Sequence, residues 1–196
     1  MIIVHLWNIE IRLSLLFPAM LVVLLAMDTS GMAAWCVAAS AMHEAGHFLA
    51  LLAVHNKPAQ ICVGIFGIRV AQNNHTPLSY RQNVLVSLAG PAVNLLSFAI
   101  LLAAGGWSVP TSVHLVMGLL NLLPVEPLDG GQALFCCLAQ RLEKDKADRI
   151  VFGVSIATIL PLAALGFTVL IYSGYNFTLL ALCLYLCLLL LFKKKR

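Results

Sequence analysis

The decapeptide AMHEAGHFLA, residues 41–50, sets three ionisable side chains, His43, Glu44 and His47, into sequence that otherwise reads as lipid-soluble. Four positions apart on a helix, His43 and His47 project from one face one turn apart, the spacing at which two imidazoles share a divalent ion. Glu44 lies about 100° further round the helix from His43, outside the ring of ligands but close to a water on the metal. That division of labour suits a zinc hydrolase. Neutral imidazoles hold Zn2+, the ion lowers the pKa of its water, and the carboxylate takes the proton as the water attacks a carbonyl. Ala45 and Gly46 are small and leave room for another chain to approach. Ionisable groups at mid-membrane are rare and functional by default, so a metal site is the first expectation and a satisfied cluster of core polar groups the alternative.

Catalytic zinc takes a third protein ligand and keeps a position open for water. Besides Glu44, the acidic residues deep in apolar sequence are Glu126 and Asp129; Glu10, Glu143, Asp145 and Asp148 fall in cytoplasmic segments and Asp28 on the opposite side. Asp129, followed by Gly130 and Gly131, which let the backbone turn tightly, is the expected third ligand. Glu126 is the competing one, or else a cavity wall or substrate contact. Both belong to NLLPVEPLDGG, 121–131, where Pro124, Pro127 and the glycine pair make a continuous helix implausible. Irregular backbone at membrane depth is tolerated only where it is buried in protein or lines a wet cavity, so a cavity is expected here. SLAGPAVNLL, 87–96, likewise sets Gly90, Pro91 and Asn94 in mid-span, where small residues let helices approach closely.

The elements that must position these groups are membrane helices. The chain of 196 residues is 61% hydrophobic and 10% charged, against about 25% charged for a soluble domain, and its mean hydropathy is +0.96. Spanning the hydrocarbon takes about 20 residues of helix, and apolar runs lie near 13–27, 32–54, 84–104, 111–124 continuing to 140, 150–172 and 177–192. The expected fold is therefore an all-α membrane protein of six transmembrane helices, one domain over 1–196 with a catalytic core at about 9–140 and accessory spans at about 150–192. With six spans all 12 basic residues fall on one side, which makes both termini cytoplasmic by the positive-inside rule. The net charge of +4 thus marks topology and contact with the lipid bilayer, and no direct nucleic-acid partner is expected; the closing KKKR reads as a stop and anionic-lipid anchor. The first apolar run reads as a span rather than a cleavable signal.

Residues 2–14 alternate apolar and polar with the period of a strand, and AQICVGIFGIRVAQ, 59–72, bounded by Pro58 and Asn73–Asn74, also reads as extended. Paired, they would form a small membrane-associated β element; the alternative for the second is a loop dipping into the interface. The six cysteines read as small apolar filler. His5, His55, His75 and His114 take no part in the expected site, are not expected as ligands and read mostly as interfacial, with His114 near the non-cytoplasmic end of the fourth span.

HEAGH in the second span, AGPAVN in the third and NLLPVEPLDGG in the fourth together resemble the site-2 protease family of intramembrane zinc metalloproteases (peptidase M50). The short form is most similar to sporulation-type members without a PDZ domain (stage IV sporulation protein FB-like), and the likeness covers roughly residues 9–140. The resemblance implies His43, His47 and Asp129 as zinc ligands and Glu44 as general base. It also implies that Asn94 and Asn121 line the site and bind substrate, with a plain interhelical hydrogen bond as the competing role for Asn94. It further implies that an edge of segment 59–72 takes up an unwound substrate as an added strand. The implied activity is cleavage of a peptide bond in or near a transmembrane segment of a membrane protein, with release of a cytoplasmic fragment. Implied partners are a membrane-tethered transcription-factor precursor or its regulator, and a membrane-protein inhibitor, in a bacterial cell membrane. The chain stops at KKKR after the sixth span, so no nucleotide-sensing domain is expected in cis.

Other functions use parts of the same set. A metal carrier would use the two histidines and the aspartate but has no need of Glu44, and should show ligands at several depths. A membrane zincin cutting soluble cytoplasmic polypeptides, with Glu126 as third ligand, and a two-histidine, one-carboxylate iron site are the remaining readings.

Overall fold

The computed structural model describes residues 2–6, 9–13, 16–54, 60–64, 67–71 and 78–193. The bounds expected at Pro58 and Asn73–Asn74, together with His55, Lys57, His75 and the residues after Lys193, lie outside the described residues. The chain divides into two compact units, Met1–Leu119 and Leu120–Arg196.

The first unit opens with strands β1 (Ile2–Leu6) and β2 (Ile9–Leu13), continues with helices α1 (Leu16–Met27) and α2 (Met32–Ala53), and returns to strands β3 (Gln60–Gly64) and β4 (Gly67–Ala71). Helix α3 (Tyr80–Gly105) and the greater part of α4 (Val109–Leu122) follow. The strands form one sheet in the order β1-β2-β3-β4. Two antiparallel pairs, with Ile2 opposite Leu13 and Gln60 opposite Ala71, join through a parallel pairing of β2 with β3 in which Glu10 faces Gln60 and Leu13 faces Val63. Parallel neighbours need a long crossover, here supplied by α1 and α2.

Each helix end in this unit has a local cause. Asp28 anchors the start of α2: one carboxylate oxygen accepts the Ala33 amide at 2.6 Å, the other the Ser30 amide at 2.9 Å and hydroxyl at 2.6 Å. Gly31, at φ 74°, makes the turn between α1 and α2. Helix α3 starts on a reciprocal capping box: the Ser79 hydroxyl accepts the Gln82 amide at 3.3 Å while Gln82 accepts the Ser79 amide at 2.9 Å. Helices α2 and α3 pack closely because Gly46 has no side chain; a Cβ there would meet the Ala89 carbonyl oxygen at 2.8 Å and Val93 Cγ2 at 2.9 Å.

The second unit contains α5 (Asp129–Ala139), α6 (Lys144–Ser173) and α7 (Thr178–Lys193). Between α4 and α5 the chain is irregular, as the prolines require, with a cis Glu126–Pro127 peptide. The break is held rather than loose. Val125 is 0% exposed and packs with Ile159 of α6 and Cys183 and Leu186 of α7 in one apolar cluster. Its backbone folds on itself through Val125 N–H to the Leu123 carbonyl and Leu128 N–H to the Val125 carbonyl, both 2.7 Å. The Glu126 amide donates to the Ser155 hydroxyl at 3.0 Å, and that hydroxyl donates to the Val151 carbonyl at 2.8 Å. Within this unit α6 and α7 hold the break in place.

Among the described residues, three helices are long and apolar enough to cross a membrane: Met32–Ala53, Tyr80–Gly105 and Lys144–Ser173. Of the six expected spans, these three reach spanning length as single helices. The fourth apolar run is divided by its proline break into α4, 14 residues, and α5, 11 residues, while α1 has 12 and α7 has 16. At about 1.5 Å per residue such helices fall short of a ~30 Å hydrocarbon core. Continuous apolar composition did not distinguish one long helix from two short ones.

Two outcomes follow from these local supports. Ser155→Ala removes the hydroxyl that accepts the partly buried Glu126 amide and should cost about 0.5–1.5 kcal/mol, read as a lower midpoint when the detergent-solubilised chain is unfolded by increasing SDS fraction; an unshifted midpoint would show that water replaces the hydroxyl. The Ser30 hydroxyl, then the Ala33 and Ser30 amides, hold the Asp28 carboxyl below its ordinary value of 3.8. A depressed folded-state pKa stabilises above the unfolded value and ceases to do so as pH falls through the folded one. Asp28→Ala should therefore lower thermal stability at neutral pH, and the gap to the parent should close in acid below that range.

Candidate metal centre

Helix α2 presents His43 and His47 toward α3, and the two Nε2 atoms lie 3.1 Å apart with the rings edge to face at 81°. Opposite them is Gly90. A Cβ on Gly90 would come within 2.7 Å of His43 Nε2 and closer still to His47 Nε2. The space left by the missing side chain is thus lined by two imidazole nitrogens, and only glycine leaves it open.

Both rings are fixed from behind. His47 Nδ1 lies 2.7 Å from the Val86 carbonyl oxygen and donates to it. Pro91, within α3, has no N–H to return to the Ser87 carbonyl, which adjoins the Val86 carbonyl that His47 meets. A neutral ring that spends its proton on Nδ1 keeps a lone pair on Nε2, the state a metal ligand requires. His43 is 6% exposed, and its Nδ1 lies 3.1 Å from the carboxamide of Asn94. Glu44, on the same turn, is half-buried.

His114 corrects the sequence reading that left it interfacial. It is 4% exposed, and its Nδ1 lies 3.1 Å from the other end of the Asn94 carboxamide. Asn94, itself 0% exposed, therefore bridges two histidines from two helices. Gly118, one turn beyond His114, admits the approach: a Cβ there would touch Leu95 at 3.0 Å and Asn94 at 3.4 Å. The buried residues of α4, Thr111, His114 and Gly118, fall on one helical stripe. A polar stripe in an apolar helix was the signal available in the sequence.

In the second unit Asp129 is the first residue of α5, where the positive end of the helix dipole favours a carboxylate. It is partly buried, as are Glu126 in the break and Asn121 near the end of α4. Gly130 and Gly131 are dictated by the break: a Cβ on Gly130 would collide with the Leu122 carbonyl oxygen, and one on Gly131 would meet Val125 backbone at 2.5 Å. The turn that sets Asp129 at a helix start is therefore specific to glycine at both positions.

The model of Peptidase family M50 matches residues 106–162, a stretch that contains the broken segment but not HEAGH. Among solved structures, the fold is similar to that of the Site-2 Protease from Methanocaldococcus jannaschii, with a TM-score of 0.62 over 94% of this chain and 91% of that chain, at 20% sequence identity. No curated protein matches in sequence. At that identity the likeness is one of fold: a helical chain folded as a site-2 protease.

Gly90→Ala puts a methyl between the two imidazoles. It should remove most bound zinc, measured by elemental analysis of purified protein, while Ala45→Ser, on the exposed side of α2, should leave metal content at the parent level.

Proposed function

We propose that this chain is an intramembrane zinc metalloprotease of the site-2 type. The observation that carries the reading is the pair of Nε2 atoms 3.1 Å apart over Gly90, with Glu44 beside them, on a helix apolar and long enough to cross a membrane. The M50 match and the fold support a membrane metalloprotease, and we assign His43, His47 and Asp129 as the donors for its metal ion. Two neutral imidazoles and one carboxylate are a common zinc set, and the Gly90 space is the cradle such an ion needs.

His43, His47 and Asp129 would hold the zinc, which would supply Lewis acidity and a water of lowered pKa. The Val86 carbonyl keeps the His47 proton on Nδ1 and leaves the Nε2 lone pair to serve as a ligand. Glu44 accepts the proton of the attacking water and delivers it to the amine that leaves. Asn121, partly buried, contributes an amide to the substrate backbone.

The proposed substrate is a transmembrane segment of another protein, cut near the cytoplasmic face to release a fragment. A membrane-tethered transcription-factor precursor or its regulator fits that product, and a membrane-protein inhibitor fits a site this deep. A helix hides its carbonyls in its own hydrogen bonds, so the target must unwind first. Strand β4 is an outer strand of the described sheet, and its outer edge is the proposed place for the unwound chain to add by β-augmentation. The proposed placement has the shorter helices completing six membrane segments, with the sheet at the membrane surface and both termini cytoplasmic, and the proposed type is the sporulation form without a PDZ domain.

Glu44→Gln should keep zinc at the parent level yet lower cleavage of a co-expressed membrane substrate by at least about 10²-fold; parental activity in that variant would overturn the mechanism. Chelation of the purified protein should abolish cleavage and added zinc should restore it, whereas Asp129→Ala should not be rescued at the same zinc concentration.

A further inference from the structure

His114 and Asn94 have no part in the mechanism above, yet both are buried, both are polar, and they are joined to a metal-binding histidine by an unbroken line of hydrogen bonds. His114 Nδ1 reaches one end of the Asn94 carboxamide at 3.1 Å and His43 Nδ1 reaches the other at 3.1 Å. On the far side, His43 Nε2 meets His47 Nε2 at 3.1 Å, and His47 Nδ1 meets the Val86 carbonyl at 2.7 Å. We propose that Asn94 and His114 are positioning residues for the metal: together they set which ring nitrogen of His43 carries its proton, and hence whether Nε2 can bind.

The argument is one of donors and acceptors. A neutral imidazole has one N–H donor and one bare acceptor nitrogen. As placed, the Asn94 amide nitrogen faces His43 and its oxygen faces His114. In that arrangement the amide donates to a bare His43 Nδ1, so the His43 proton sits on Nε2 and points at His47 Nε2. Every link then has one donor, but His43 has no lone pair to give a metal.

A half-turn of the carboxamide exchanges its oxygen and nitrogen without moving either histidine. The oxygen now accepts from His43 Nδ1–H, and His43 Nε2 is bare, as binding requires. The amide nitrogen now points at His114 Nδ1 and must find it bare, so the His114 proton sits on Nε2. Each ring keeps a single proton throughout: that of His43 moves from Nε2 to Nδ1 and that of His114 from Nδ1 to Nε2. The line thus has two self-consistent arrangements, and zinc selects the second. His114 matters because it can accept as well as donate. An apolar side chain in its place would leave the amide nitrogen without its acceptor in the metal-binding arrangement and the amide oxygen without its donor in the other, so the carboxamide behind His43 would lose the partner that fixes it.

The inference rests on His43 being a zinc ligand, and the experiment separates the two ideas. Zinc affinity is measured on the detergent-solubilised full chain by competition with a chromophoric chelator. His43→Ala should lose zinc; if it binds as the parent does, the metal-site reading itself fails. With that loss established, His114→Leu should weaken zinc by about 10–100-fold, the usual effect of removing a partner behind a ligand. In an Asn94→Asp background the carboxylate accepts from His43 without needing an acceptor at position 114, so the same His114→Leu change should cost at most a few-fold. An unchanged affinity in His114→Leu, or an equal loss in both backgrounds, overturns the relay and leaves the site standing. The parent chain gives an independent readout through the ring-nitrogen NMR signals of 15N-histidine-labelled protein. On zinc loading, His114 Nδ1 should change from a protonated to an unprotonated nitrogen, and a Nδ1 that stays protonated in the zinc-loaded chain overturns the inference even if the variants do not fold.

Discussion

The close approach of α2 and α3 is the constraint on which the candidate centre depends. It exists because Gly46 and Gly90 have no side chains at the two points where the helices meet, one against the Ala89 carbonyl and one against the histidine rings. Without hydrophobic drive between helices in lipid, association rests on van der Waals contact and interhelical hydrogen bonds, and glycine serves both. It brings the backbones together, and at Gly90 it leaves the space the two Nε2 atoms line. Pro91, one residue away, has no N–H for the Ser87 carbonyl, which adjoins the Val86 carbonyl that holds His47. Packing and chemistry are thus set by the same dipeptide.

The second unit solves a different problem, holding an irregular segment at fixed geometry among apolar helices. Buried backbone polar groups need partners, and here they come from within the break and from Ser155, while Val125 anchors the segment in the cluster formed with α6 and α7. Glycine at 130 and 131 is imposed by backbone contact, so that Asp129 begins a helix immediately after the turn. A rigid carboxylate at a helix start is better suited to bind a cation than one on a mobile loop, since less ordering is lost on binding.

Buried polar groups in an apolar protein raise the cost of any wrong arrangement. The line from His114 through Asn94 and His43 to His47 is therefore either satisfied at every link or unstable, and that requirement couples residues on three helices, α2, α3 and α4, that share no sequence motif. Asn94 illustrates the point: as an isolated residue it reads equally as a substrate contact or a helix-to-helix bond, and its two occupied amide atoms tie it to His43 and His114.

By itself the sequence determined the features that local periodicity and backbone chemistry control. The i, i+4 histidine pair with its adjacent glutamate must share a helix turn, the Pro and Gly residues of 121–131 must break a helix, and Gly90–Pro91 must mark a close approach, because these follow from geometry within a few residues. What only the tertiary structure decided is non-local. Helix lengths were hidden by uniform apolar composition, which cannot say where a membrane span ends. The parallel pairing of Ile9–Leu13 with Gln60–Gly64 depends on the crossover between them. The partners of Asn94 and of the Glu126 amide lie 20, 51 and 29 positions away, and no periodic pattern selects a partner at such distance. His114 was legible as a polar residue on an apolar helix, but its role required knowing that Gly118 lets α4 come near enough to α3 for the bond to form.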